Sequence, residues 1–131
     1  HVGDSRTQVN KNGELIRITR DHSLVQELVD AGEITADEAE KHPNKNIITR
    51  SLGQPTDIDV DTLTLEIDAD DIIIMSSDGL TNMVPAEAII ETVDNDQDVT
   101  SQAQALVSLA NTNGGLDNIT VILVKFDKGD L

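Results

Sequence analysis

The chain has 131 residues, a formal net charge of −16 and a single aromatic side chain, Phe126. That length suits one domain or part of one. A surface this acidic repels nucleic acid and anionic lipid and favours cations, and the lack of aromatics removes platforms for base stacking. Neither nucleic acid nor membrane is therefore an expected partner. Cysteine is absent, which excludes disulfides, thiolate nucleophiles, iron–sulfur clusters and cysteine zinc sites and is consistent with a reducing compartment. No apolar run is long enough to span a bilayer, and none reads as a secretory signal.

The chain starts at His1, and His1-Val2-Gly3-Asp4 reads like the end of a strand begun upstream, so a fragment is expected. Thr7 to Val9 and Leu15 to Ile18 flank Asn10-Lys11-Asn12-Gly13, a hairpin signal. Ser23 is placed to cap a helix carrying Leu24, Val25, Leu28 and Val29, which ends before Gly32. Thr35 and Glu38 match a capping box for a second short helix, which Pro43 stops. Leu63, Leu65 and Ile67 alternate with polar residues and predict a half-exposed strand. Ile72 to Met75 predicts a fully buried strand. Pro85 suits a helix first turn, with Ala86, Ile89, Ile90 and Val93 on one face. After the polar loop Asp94 to Asp98 a longer helix places Ala103, Leu106, Val107 and Ala110 at helical spacing. Gly114-Gly115 leads to a last strand, Ile119 to Phe126. Most links are too short for repeated parallel crossovers. The pattern predicts an α+β fold, mainly antiparallel sheet with helices on one face.

Two segments couple an aspartate to one end of an apolar strand. Asp78 follows Ile72-Ile73-Ile74-Met75-Ser76-Ser77, and Asp117 precedes Ile119-Thr120-Val121-Ile122. If these strands are neighbours, both carboxylates meet at one sheet edge, where they offer hard oxygen ligands to a divalent metal. Each also has an ordinary reading. Asp78-Gly79 is a common turn dipeptide, Asp117-Asn118 an Asx-type turn, and Asp4-Ser5-Arg6 a turn with an internal ion pair. Together they give three aspartates at predicted strand ends.

Other clusters carry less. Asp94-x-Asp96-x-Asp98 begins like a calcium loop, but Val99 and Ala105 occupy the positions that need glycine and glutamate. Asp57-x-Asp59-x-Asp61 fails in the same way, with Thr62 and Asp68. His1, His22 and His42 share no metal-ligand spacing. Asp21-His22-Ser23 is better read as a helix entry than as a triad, whose members are gathered from separate segments. Gly114-Gly115 lacks the spacing and lysine of a phosphate loop.

Five segments, taken in order, resemble the metal-dependent serine/threonine phosphatases of type 2C, particularly the compact bacterial members. They are Val2-Gly3-Asp4-Ser5-Arg6, Thr19-Arg20-Asp21-His22-Ser23-Leu24-Val25, His42-Pro43 through Thr49-Arg50-Ser51-Leu52-Gly53, Ser77-Asp78-Gly79-Leu80-Thr81-Asn82, and Asp117-Asn118-Ile119-Thr120-Val121. The resemblance implies an antiparallel β-sandwich flanked by helices in α-β-β-α layers, of which residues 1–131 would form the C-terminal portion. It implies two or three divalent metals, manganese or magnesium, with Asp78 and Asp117 as ligands and Asp4 at an additional, weaker site. A segment at about 32–48 would be a flap that influences substrate choice.

The implied reaction is hydrolysis of phosphoserine and phosphothreonine in proteins by a metal-activated water, with no protein nucleophile. The family's remaining metal-binding acid, its Asp-Gly-x-Gly-Gly motif, its phosphate-binding arginine and its general-acid histidine have no match here. The chain alone is expected to be inactive, and to pair with the missing N-terminal half or with itself. Its implied partners are phosphoprotein substrates, a serine/threonine kinase among them, in the cytoplasm. A pseudophosphatase or phosphoprotein-binding module, and a simple acidic cation-binding domain, are the alternatives.

Overall fold

Asn12 and Gly13 both take positive φ, 52° and 77°, the backbone that a tight hairpin needs to match the twist of its strands. In the computed structural model, which describes residues 1–131, they join β1 (Arg6–Lys11) to β2 (Glu14–Arg17). There follow α1 (Leu24–Asp30), α2 (Ala36–Glu40), β3 (Ile72–Ser76), α3 (Asp78–Thr81), α4 (Ala86–Val93), α5 (Val99–Thr112) and β4 (Val121–Lys125), with a closing 3-10 turn at Lys128–Asp130. The chain divides into two compact units, one of His1–Ser5 with Arg20–Thr64, the other of Arg6–Thr19 with Leu65–Leu131.

The second unit holds one antiparallel sheet in the order β2-β1-β3-β4. The expected α+β class and antiparallel pairing are present, as one four-stranded sheet with helices. Register places Leu15, Ile72, Ile74, Val121 and Leu123 on one face. Against them pack Leu80 and Val84, then Ile89 and Val93 from α4, and Leu106 and Ala110 from α5. Burial of each large aliphatic there contributes roughly 1.5–3 kcal/mol.

The opposite face carries Val9, Ile16, Ile73, Met75, Ile122 and Val124; Val9 is buried, whereas Ile16 is 38% and Ile122 51% exposed. Strand β3 is thus buried alternately rather than throughout, as its run of isoleucines had predicted. An apolar run states that both faces are apolar. Helices cover only one of them, because the three that follow β3 and precede β4 all fall on the same side.

Local chemistry fixes the helix ends. The Asp98 carboxylate, as the cap of α5, accepts the Ser101 amide at 2.8 Å and the Ser101 hydroxyl at 3.1 Å, and these Ser101 hydrogen bonds hold its pKa below the usual carboxylate value. Pro85 is the cap of α4, one position earlier than a first-turn residue. Buried Gln102 donates from Nε2 to the carbonyls of Val93 and Asn95 and pins the loop between α4 and α5.

In the first unit, Ser23 Oγ accepts the Gln26 amide at the start of α1. Thr35 and Glu38 complete the capping box of α2, with bonds of 3.1 and 3.2 Å. The predicted strand over Leu63 to Ile67 does not form, and residues 57–68 have no regular structure. Alternation sets which side chains face inward, but a strand also needs a backbone partner, and this segment pairs with none of the four strands. No helix is long and apolar enough to cross a membrane.

Candidate metal centre

Ser76 and Val121 are the last register pair of the β3–β4 ladder. Because the strands are antiparallel, the end of β3 lies beside the beginning of β4, and the residues just beyond each share one sheet edge. Ser77 and Asp78 continue from β3, while Asp117 to Thr120 lead into β4. The condition set by the sequence is met, and Asp78 and Asp117 lie at the same edge.

The two corners are stitched together. The Ser77 amide donates to the Thr120 carbonyl at 3.1 Å. The Ser77 hydroxyl donates to the Asn118 carbonyl at 3.1 Å and accepts the Thr120 amide at 3.0 Å. Gly79 is buried against the same segment, so close that a Cβ would stand 2.2 Å from the Asn118 oxygen. Here glycine is needed for close approach. Asp78 begins α3 and is half-buried, and its carbonyl accepts the Asn82 amide at 2.9 Å. Asp117 is exposed, and its Oδ1 accepts the amide of the next residue, Asn118, at 2.7 Å, one residue short of the bond to the second amide that defines an Asx turn. The short helix α3 was not anticipated, since Asp78-Gly79 reads as a turn.

Asp4 belongs to the other unit. It follows Gly3, whose φ is 108°. Both polar groups of Gly3 are held by His22, whose Nδ1 accepts the Gly3 amide at 3.0 Å and whose own amide donates to the Gly3 carbonyl at 2.8 Å. His22 is fully buried. With Nδ1 accepting, the proton is assigned to Nε2, which donates to Asp61 Oδ2 at 2.7 Å. Arg50 Nη1 donates to Asp61 Oδ1 at 3.1 Å and to the Asp59 carbonyl at 3.3 Å. The hydrogen bond from His22, with smaller help from Arg50, holds the Asp61 carboxyl below its usual value. Sequence spacing gives no signal for this network, because Asp61 lies 39 residues from His22. Ser23 acts as the helix cap and no triad forms.

The segment at about 32–48, expected as a flap, begins after α1 and is tied near its end to the start of α1. Gly32 ends the turn after α1 with φ 73°. At the far end the Leu24 amide donates to the Ile47 carbonyl at 3.0 Å, and the Thr49 amide to the His22 carbonyl at 2.8 Å.

Two carboxylates on rigid corners are the right donors in kind for manganese or magnesium, which favour oxygen. They are too few to enclose an ion, and no group of three or more His, Asp or Glu side chains is placed to hold one. The edge suits part of a metal centre.

No family model matches the chain. It is 45% identical over 130 residues to protein phosphatase PhpP of Streptococcus pneumoniae, covering 99% of this chain and 53% of that protein. It is 42% identical over 127 residues to serine/threonine phosphatase stp of Listeria monocytogenes, covering 97% of this chain and 50% of that one. The fold matches the serine/threonine phosphatase of S. agalactiae with a TM-score of 0.94 and 45% identity, over 97% of this chain and 52% of that structure. It matches the catalytic domain of PstP, solved in complex with 2 manganese ions, with a TM-score of 0.78 and 39% identity, over 94% and 50%. The chain therefore spans about half the length of the curated relatives it matches. Sequence and fold agree that the chain belongs with the type 2C serine/threonine phosphatases.

Proposed function

We propose that the chain is the C-terminal half of a metal-dependent phosphatase domain that hydrolyses phosphoserine and phosphothreonine in proteins. The observation that carries this reading is the meeting of the Asp78 and Asp117 corners at one sheet edge, joined through Ser77. In it, Asp78 and Asp117 ligate the central divalent site, and Asp4 serves a weaker additional one. Manganese or magnesium, when bound, neutralises phosphate charge and acidifies the attacking water. The chain's own part is to hold two carboxylates in fixed positions and to draw cations with its net charge of −16. The phosphate-binding arginine, the general acid and the remaining ligands come from the other half, which also covers the open face around Ile73, Met75 and Ile122. Without that half the chain is inactive and self-associates. The segment at about 32–48 acts as a flap that sorts phosphoprotein substrates, among them a serine/threonine kinase, in the cytoplasm.

The test is manganese-dependent hydrolysis of a phosphothreonine peptide, by the chain alone and by the complete domain, each with and without Asp78→Ala. The reading expects activity only in the complete domain and its loss in the variant. Turnover by the chain alone that survives Asp78→Ala would refute it.

A further inference from the structure

We propose that Ser77 is a positioning residue of the metal centre, whose hydroxyl sets the separation of the Asp78 and Asp117 corners. The inference rests on the reading that these two aspartates are metal ligands.

Ser77 occupies the N-cap of α3, with φ −70° and ψ 166°. A serine there ordinarily turns its oxygen to an amide of its own first turn. Ser77 makes no such bond. Its hydroxyl reaches across the sheet edge, donates to the Asn118 carbonyl at 3.1 Å and accepts the Thr120 amide at 3.0 Å. The cap's usual contribution to α3 is forgone, and the side chain binds the other corner instead.

The donor and the acceptor bond both land on the segment after Asp117, at residues one and three positions beyond it. The Ser77 backbone adds a third bond, from its amide to the Thr120 carbonyl. Gly79, on the other side of Asp78, bears on the Asn118 oxygen and sets how near the corners can come. Asp78 is thus bracketed, with Ser77 pulling the two corners together and Gly79 limiting their approach. A ligating carboxylate binds most tightly when its backbone is already in place, and groups that orient ligands commonly contribute 10–100-fold to metal affinity.

The decisive experiment measures manganese affinity of the complete domain by titration calorimetry, for wild type, Ser77→Ala, Ser77→Thr, Ser77→Cys and Asp78→Ala. Circular dichroism and thermal melts of the metal-free proteins show which variants are folded. Ser77→Ala is expected to bind manganese roughly 10–100-fold more weakly. In peptide hydrolysis its half-saturating manganese concentration rises in step, while turnover at saturating metal changes little. Threonine keeps the hydroxyl and suits extended backbone, so Ser77→Thr restores affinity. Cysteine keeps the shape but hydrogen-bonds weakly, so Ser77→Cys follows alanine and serves if Ser77→Ala does not fold. Wild-type affinity in a folded Ser77→Ala or Ser77→Cys, with binding lost in Asp78→Ala, would overturn the role of Ser77 alone. Wild-type affinity in Asp78→Ala would overturn the ligand assignment, and this proposal with it.

Discussion

Gly79 lies so close to Asn118 that a single added methyl group would stand 2.2 Å from the Asn118 carbonyl oxygen. The obstacle is backbone, which cannot rotate aside as a side-chain tip can. Gly79→Ala must therefore push the corner after β3 away from the corner before β4. The expected cost is about 1–3 kcal/mol, the usual range for overpacking, with weaker metal binding besides. Denaturant unfolding measures it against Gly129→Ala, where a Cβ meets open space and the effect is expected near zero. Equal stability of the two variants would contradict the contact.

Metal binding separates the candidate centre from the acidic surface. Asp78→Ala and Asp117→Ala in the complete domain are each expected to abolish or greatly weaken manganese binding. Asp96→Asn, in the exposed loop between α4 and α5, is expected to leave it unchanged. Equal losses from all three would favour a diffuse cation-attracting surface, the alternative that a net charge of −16 first suggested.

Acid stability carries the signature of Asp61. Its folded pKa lies below 3.8, chiefly through the hydrogen bond from His22. A lowered carboxylate pKa contributes stability that is complete above the unfolded value and is lost as pH falls through the folded one. Asp61→Asn is therefore expected to be less stable than wild type near neutral pH, and the gap should narrow at the acid end. Urea midpoints measured across that range read the gap directly. A gap independent of pH would contradict the linkage.

The open face of the sheet predicts how the chain behaves by itself. Ile16, Val9, Ile73, Met75, Ile122 and Val124 share one face of the four strands, with Ile16 and Ile122 exposed on the two edge strands, and apolar faces drive association when uncovered. Light scattering of the isolated chain is expected to show a mass that rises with concentration, and Ile122→Lys should reduce it. A monomer at all concentrations, with unchanged behaviour in Ile122→Lys, would count against the proposal that another half covers this face.

Much of this was legible in the residues because local chemistry carried it. Asn12-Gly13 marked its hairpin, Ser23 and Thr35 marked two helix starts, and Asp78 and Asp117 marked the sheet edge. What stayed hidden depended on distant partners. Leu63 to Ile67 has the alternation of a strand but no ladder to join. The isoleucines of β3 predicted a strand buried throughout, although the expected helices lie on one face of the sheet and leave β3 buried alternately. His22, Asp61 and Arg50 come together from three separate segments of one unit, and no spacing rule connects them. Ser77 gave no signal of its own in the sequence, and only the paired strand shows where its hydroxyl goes.

At the sheet edge it shares with Asp117, Asp78 is proposed to belong to the metal centre of a phosphoprotein phosphatase. Manganese-dependent hydrolysis of a phosphothreonine peptide by the complete domain, compared with its Asp78→Ala variant, tests this most directly. Robust turnover is expected in the wild type and essentially none in a variant that folds normally. Undiminished turnover in that variant would contradict it.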